Sequence, residues 1–104
     1  MEIEHIIDIT PKQQKILRSL FETHLPNTLV WVYGSRITKH ARANSDLDLV
    51  AFVTPEQLKQ VHELREAFDN SDLPFRVDLF VWDEVPKSFR KNIEAAYVVL
   101  QKQK

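Results

Sequence analysis

The chain has 104 residues, 12.2 kDa, with 43% hydrophobic and 28% charged residues and a formal net charge of −1. That is the size and composition of one folded domain, and it excludes a disordered chain. The lack of cysteine excludes a disulfide framework and a thiolate metal site, and the longest apolar run, residues 95–100, falls far short of the ~20 residues that span a bilayer. The start, Met1-Glu2-Ile3-Glu4, is acidic where a signal peptide would be basic, so a soluble, cytoplasmic protein is expected.

Thr10-Pro11 reads as a helix start, an N-cap followed by proline at the first helical position. Ile16, Leu17, Leu20, Phe21 and Leu25 recur on one face of that helix, and Pro26-Asn27 ends it. Leu29 to Tyr33 is a short β-branched and aromatic run, a buried strand, which Gly34-Ser35 breaks. The polar stretch to Ser45 reads as one helical turn and a loop. Asp46 to Val53 is a second strand, with Asp46 and Asp48 on one face and Leu47 and Leu49 on the other. Thr54-Pro55-Glu56-Gln57 is a capping box that opens a helix with Leu58, Val61, Leu64, Arg65 and Phe68 on one stripe. After a turn-rich loop from Asp69 to Pro74, Phe75, Val77, Leu79 and Val81 alternate with Arg76, Asp78, Phe80 and Trp82 in a third strand. A last amphipathic helix is predicted from Pro86 to about Gln101, using Phe89, Ile93, Ala96, Tyr97 and Leu100. The order helix, strand, strand, helix, strand, helix, without repeat or linker, predicts a single α/β (α+β) domain over 1–104. Its core would be one sheet of at least three strands flanked by helices.

Charge and glycine are both unevenly spread. Residues 28–45 hold Arg36, Lys39 and Arg42 against no acid, whereas residues 46–84 hold ten acids against Lys59, Arg65 and Arg76. A basic loop running into an acidic segment favours an anion with metal counter-ions over a long nucleic-acid groove. Average usage predicts about seven glycines in this length; there is one, Gly34. A backbone need is therefore expected there, either positive φ or the close approach of something bulky.

Aspartate is depleted in strands, yet Asp46, Asp48 and Asp78 all fall within predicted ones. Asp46 and Asp48 share a face, and Asp78 joins them if its strand lies alongside. Carboxylates about 4 Å apart repel by ~4 kcal/mol at an effective dielectric of 20, so such a cluster takes up a proton or binds cations. Hard oxygen donors with open positions suit Mg²⁺ or Mn²⁺, whose shells are completed by water and substrate phosphate. Gly34 and Ser35, at a strand end, offer backbone N–H groups and a hydroxyl to a phosphate, with Arg36, Lys39 and Arg42 adding positive charge. A phosphate cradle joined to a carboxylate metal site points to phosphoryl or nucleotidyl transfer.

Gly34-Ser35, ten intervening residues, then Asp46-Leu47-Asp48, with a further aspartate on a later strand, resembles the signature of the polymerase-β-like nucleotidyltransferases. The stretch 34–49, GSRITKHARANSDLDL, is similar throughout to the minimal nucleotidyltransferases (MNT), and within them to the MntA-type antitoxin branch. The likeness runs from about Asp8 to Gln101. It implies that Asp46 and Asp48 bridge two Mg²⁺ ions. Asp78 would complete the catalytic metal and help activate the attacking hydroxyl, while Gly34 and Ser35 bind the β- and γ-phosphates of ATP. Lys39 stands where many relatives carry glycine. The implied reaction moves AMP from ATP to an acceptor hydroxyl. Larger relatives hold the acceptor with an additional domain, for which this chain has no residues to spare. The MntA resemblance instead implies a separate small helical HEPN protein, a HepT-like ribonuclease toxin modified on tyrosine. Two other readings stay open. One is a binding module that covers such a partner with a silent site; the other is a nucleotidyltransferase with an antibiotic-like acceptor, for which a homodimer cleft could substitute for the missing domain.

The remaining chemistry-bearing residues read as structural. Ser35, His40 and Asp46 hold the letters of a hydrolase triad, but nothing places His40 between the others. His5, His24 and His62 fit surface or helix-face positions, and Trp31 and Tyr33 fit packing. Trp82, on the Asp78 face, fits a cap on the sheet better than a base-stacking platform.

Overall fold

The structure is a computed structural model that describes residues 7–38 and 41–103. Lys39, His40 and His5, all weighed above, lie outside the described residues. Helix α1 spans Pro11–His24 and opens on a reciprocal capping box: Gln13 N donates to Thr10 Oγ1 at 3.1 Å, and Thr10 N donates to Gln13 Oε1 at 2.9 Å. Strand β1 is Val30–Tyr33 and β2 is Leu47–Ala51. Helix α2, Leu58–Asp69, is entered through a 3₁₀ turn at Pro55–Gln57, where Thr54 N donates to Gln57 Oε1 at 2.9 Å. Strand β3 is Val77–Val81, helix α3 is Lys87–Ala95 and strand β4 is Val98–Gln101.

One mixed sheet runs in the order β3-β2-β1-β4. Strand β1 pairs antiparallel with β2 and β4, while β2 and β3 are parallel, as a connection through α2 requires. The period of two sorts the side chains. Val30, Val32, Leu47, Leu49, Ala51, Leu79, Val81 and Leu100 face the main core, closed by Leu17 and Phe21 of α1 and Val61, Leu64 and Phe68 of α2. The opposite face carries Tyr33, Val50 and the Trp31–Phe52–Trp82 aromatic cluster, partly covered by Val85 and by Ile93 of α3.

One predicted element is corrected. The helix expected to about Gln101 stops at Ala95, and residues 98–101 form the edge strand β4 beside β1. Residues 95–100 are apolar without a break, which leaves a helix no polar face there, and the β-branched Val98-Val99 suits a strand with Val98 and Leu100 turned inward. Tyr97, placed on the buried stripe in the helical reading, is exposed instead and stacks on Trp31 with centroids 3.8 Å apart.

Candidate active site

The register of the sheet assembles the site. Tyr33 on β1 faces Asp48 on β2, and Asp48 faces Asp78 on β3, so the two aspartates stand side by side on the face opposite the main core. Asp46, just before β2, is exposed beside them. Gly34 follows Tyr33 with φ 88°, ψ −158°, a backbone region that is essentially glycine's own. A Cβ there would lie 2.5 Å from Asp48 Oδ2, so the expected backbone need is met twice over, by the torsion and by the carboxylate pressed against the glycine. Ser35 then opens a single 3₁₀ turn, Ser35–Ile37, whose first carbonyl accepts from Thr38 N and Thr38 Oγ1.

Electrostatics mark this as a place of crowded negative charge. The Asp48 carboxyl is pushed up to about 6, first by burial and then by Asp78 and Asp46, with Arg76 opposing. The Tyr33 phenol is raised well above its ordinary value by burial, and Asp48 and Asp78 add to the shift, so it keeps its proton. Among the described residues no three carboxylate or imidazole groups are drawn together as a preformed metal cage. The positive charge present is a guanidinium: Arg76 Nε donates to Asp78 Oδ1 at 2.9 Å, Nη2 donates to Oδ2 at 3.3 Å, and Nε lies 3.9 Å from Asp46 Oδ2. Asp48, raised by burial and by its neighbours Asp78 and Asp46, and the guanidinium drawn to Asp78 and Asp46 mark crowded hard oxygen donors of the kind a divalent ion takes.

Arg36 is not brought to this cluster. It is 5% exposed, and its guanidinium lies 4.1 Å from the centre of the Phe75 ring. It donates to the carbonyls of Asp8 at 2.7 Å, Ser45 at 2.8 and 3.1 Å, Ala43 at 3.2 Å and Arg42 at 3.4 Å. Its donors are thus spent on backbone carbonyls of residues 8, 42, 43 and 45, and the phosphate role expected for it is not what the structure gives it. Arg76, by contrast, is brought to the cluster, although the sequence pattern gives it no site role. Its spacing of two from Asp78 was the available signal, since residues i and i+2 of a strand share a face.

Beside the aspartates a cleft of about 250 Å³ opens between the sheet and α3, lined by Tyr33, Phe80, Val81, Val85 and Phe89, with Glu84 at its rim. Phe80 and Phe89 are both 43% exposed. Trp82 packs against Trp31 and Phe52 with the Arg90 guanidinium over its ring, which is the capping role expected of it.

The comparisons with known proteins agree with this geometry. Residues 4–104 match the family model "Polymerase beta, Nucleotidyltransferase". The chain is 39% identical over 97 residues to the Haemophilus influenzae "probable protein adenylyltransferase MntA", covering 91% of this chain and 84% of that protein. In fold it is similar to a crystal structure of a toxin–antitoxin with AMP-PNP (TM-score 0.60, 17% identity, 86% of this chain and 73% of that one). It is also similar to a complex of a tri-AMPylated Shewanella oneidensis HEPN toxin with an MNT antitoxin (TM-score 0.52, 14% identity, 88% and 71%). With the family model matched along almost its whole length, this chain belongs to the polymerase-β nucleotidyltransferases, in their minimal, MntA-type branch.

Proposed function

We propose that the protein transfers AMP from ATP to a hydroxyl of a partner protein, most specifically a tyrosine of a HEPN, HepT-like toxin, and acts as its antitoxin. The observation that carries the reading is the Asp48–Asp78 pairing across β2 and β3 with Gly34 pressed against Asp48. Asp46, Asp48 and Asp78 would hold Mg²⁺ or Mn²⁺, which when bound supplies neutralisation of the triphosphate and a lowered pKa for the attacking hydroxyl. Gly34 lets the phosphates approach the backbone, and Ser35 donates its hydroxyl to them. With sheet order β3-β2-β1, phosphates on the β1 side leave the β3 side open to the acceptor, as in-line attack requires. The acceptor oxygen bonds to the α-phosphorus as the bond to pyrophosphate breaks, and its proton passes to Asp78. The apolar cleft at Tyr33, Phe80 and Phe89 gives an aromatic acceptor side chain room beside the aspartates. The names of the similar proteins, a protein adenylyltransferase and complexes with HEPN toxins, support the partner class.

The test uses ATP labelled at the α- or the γ-phosphate, Mg²⁺, the purified protein and the product of the neighbouring gene. Label from the α position on that partner, lost with Asp46→Asn, is the expected result. A tight complex with no transfer from either position would instead leave the domain a binding module. Transfer to a small molecule by the protein alone would displace the protein acceptor.

A further inference from the structure

Arg76 is the charged group at the site that the proposed reaction does not use. It immediately precedes β3, and its carbonyl still accepts from Leu47 N at 2.9 Å, so its side chain rises on the same face as Asp78. The guanidinium grips both oxygens of Asp78, at 2.9 and 3.3 Å, and faces Asp46 Oδ2 at 3.9 Å. Arg76 is held there by the two carboxylates. Its side chain is 69% exposed, and among the described residues its guanidinium hydrogen bonds go to Asp78 alone. Arg36 and Arg65 are different: their guanidinium donors are fixed on backbone carbonyls.

We propose that Arg76 is the resident counter-cation of the carboxylate cluster and couples cation binding to nucleotide binding. The proposal rests on the reading of Asp46, Asp48 and Asp78 as metal ligands. A forked guanidinium engages both carboxylate oxygens, so it competes with a divalent cation for Asp78. An arginine whose guanidinium hydrogen bonds, among the described residues, all belong to that fork can leave without breaking another hydrogen bond. A triphosphate relieves the competition, because its oxygens offer the displaced guanidinium a new anionic partner close by. Cation and nucleotide therefore favour each other's binding, and by linkage the effect is reciprocal.

The experiment titrates Mn²⁺ into the protein, with free Mn²⁺ read by electron paramagnetic resonance, in the absence and presence of a non-hydrolysable ATP analogue. Without nucleotide, Arg76→Gln is expected to bind Mn²⁺ roughly two- to five-fold more tightly than the unaltered protein, the range an exposed charged pair can account for. The analogue then tightens Mn²⁺ binding less in Arg76→Gln than in the unaltered protein. Arg76→Lys, which keeps the charge and loses the fork, falls between. Equal or weaker Mn²⁺ binding by Arg76→Gln overturns the proposal and makes Arg76 a residue that orients Asp78 for the metal. Mn²⁺ binding absent in every variant, or unaffected by Asp46→Asn, overturns the metal reading and the proposal with it.

Discussion

At Gly34 a single residue joins the backbone to the chemistry. Its φ of 88° disfavours any other residue, and Asp48 fills the space where a side chain would begin. Gly34→Ala is expected to destabilise the protein by about 1–3 kcal/mol and to abolish transfer, checked by urea unfolding alongside the labelled-ATP assay. Asp48 makes a prediction with a sign. Its folded-state carboxyl titrates near 6 against an ordinary 3.8, so between those values the folded protein binds more protons than the unfolded one. That group's contribution therefore becomes more favourable as pH falls from about 7 through 6 towards 4, and it opposes folding at neutral pH. Asp48→Asn should stabilise the metal-free protein at pH 7 by up to about 1 kcal/mol, given the solvent screening of a half-exposed group. The gain should vanish near pH 4. Unfolding curves of the two proteins across pH 4–7 check both statements.

At the scale of elements, one buried arginine holds residues 42–45 against the segment before α1. Arg36 ties Asp8, Arg42, Ala43 and Ser45 to a common centre, and Ser45 Oγ accepts from Arg42 N at 2.8 Å. Arg36→Lys keeps the charge but loses the planar fork, and is expected to cost about 2–4 kcal/mol in unfolding free energy, with transfer falling because Ser35 and Asp46 flank the loop. The edge strand β4 is tested by contrast. Leu100→Ala should cost about 2–4 kcal/mol and Val99→Ala under ~1 kcal/mol, since Leu100 is 3% exposed and Val99 38%. Helices α1 and α2 were legible because their caps are local: Thr10 with Gln13, and Thr54 with Gln57. The end of α3 was not, because Phe89, Ile93, Ala96, Tyr97 and Leu100 fit a helical face as numbers. Only pairing with β1 draws residues 98–101 into the sheet.

For the whole molecule, the two faces of the sheet divide the labour. The main core lies on the α1–α2 face and the aspartates lie on the other, so the main core is built without them. Chelation with EDTA is expected to abolish nucleotide transfer while leaving the far-ultraviolet circular dichroism unchanged. Mg²⁺ with a non-hydrolysable ATP analogue should raise the melting temperature, because both bind the folded state alone. Arg65, whose Nε and Nη2 donate to Leu79 O at 3.0 and 2.9 Å, covers part of the free edge of β3 from α2. That limits strand-to-strand association at this edge.

The sequence alone was enough for the fold class, the single glycine with a special task and the three aspartates, of which Asp48 and Asp78 stand on strands and Asp46 just before one. Each of these is a local or spacing property: an alternation of two, a cap, ten residues between Ser35 and Asp46. The tertiary structure decided what the two arginines do. In sequence Arg36 stands beside the Gly34-Ser35 motif and Arg76 stands in an unremarked alternation. Folding buries the first against Phe75 and the carbonyls of residues 42–45 and sets the second on the carboxylates. The physical reason is that an arginine's role is set by which acceptors come within reach of its fork, and those acceptors are placed by strand register and loop path rather than by neighbours in the chain.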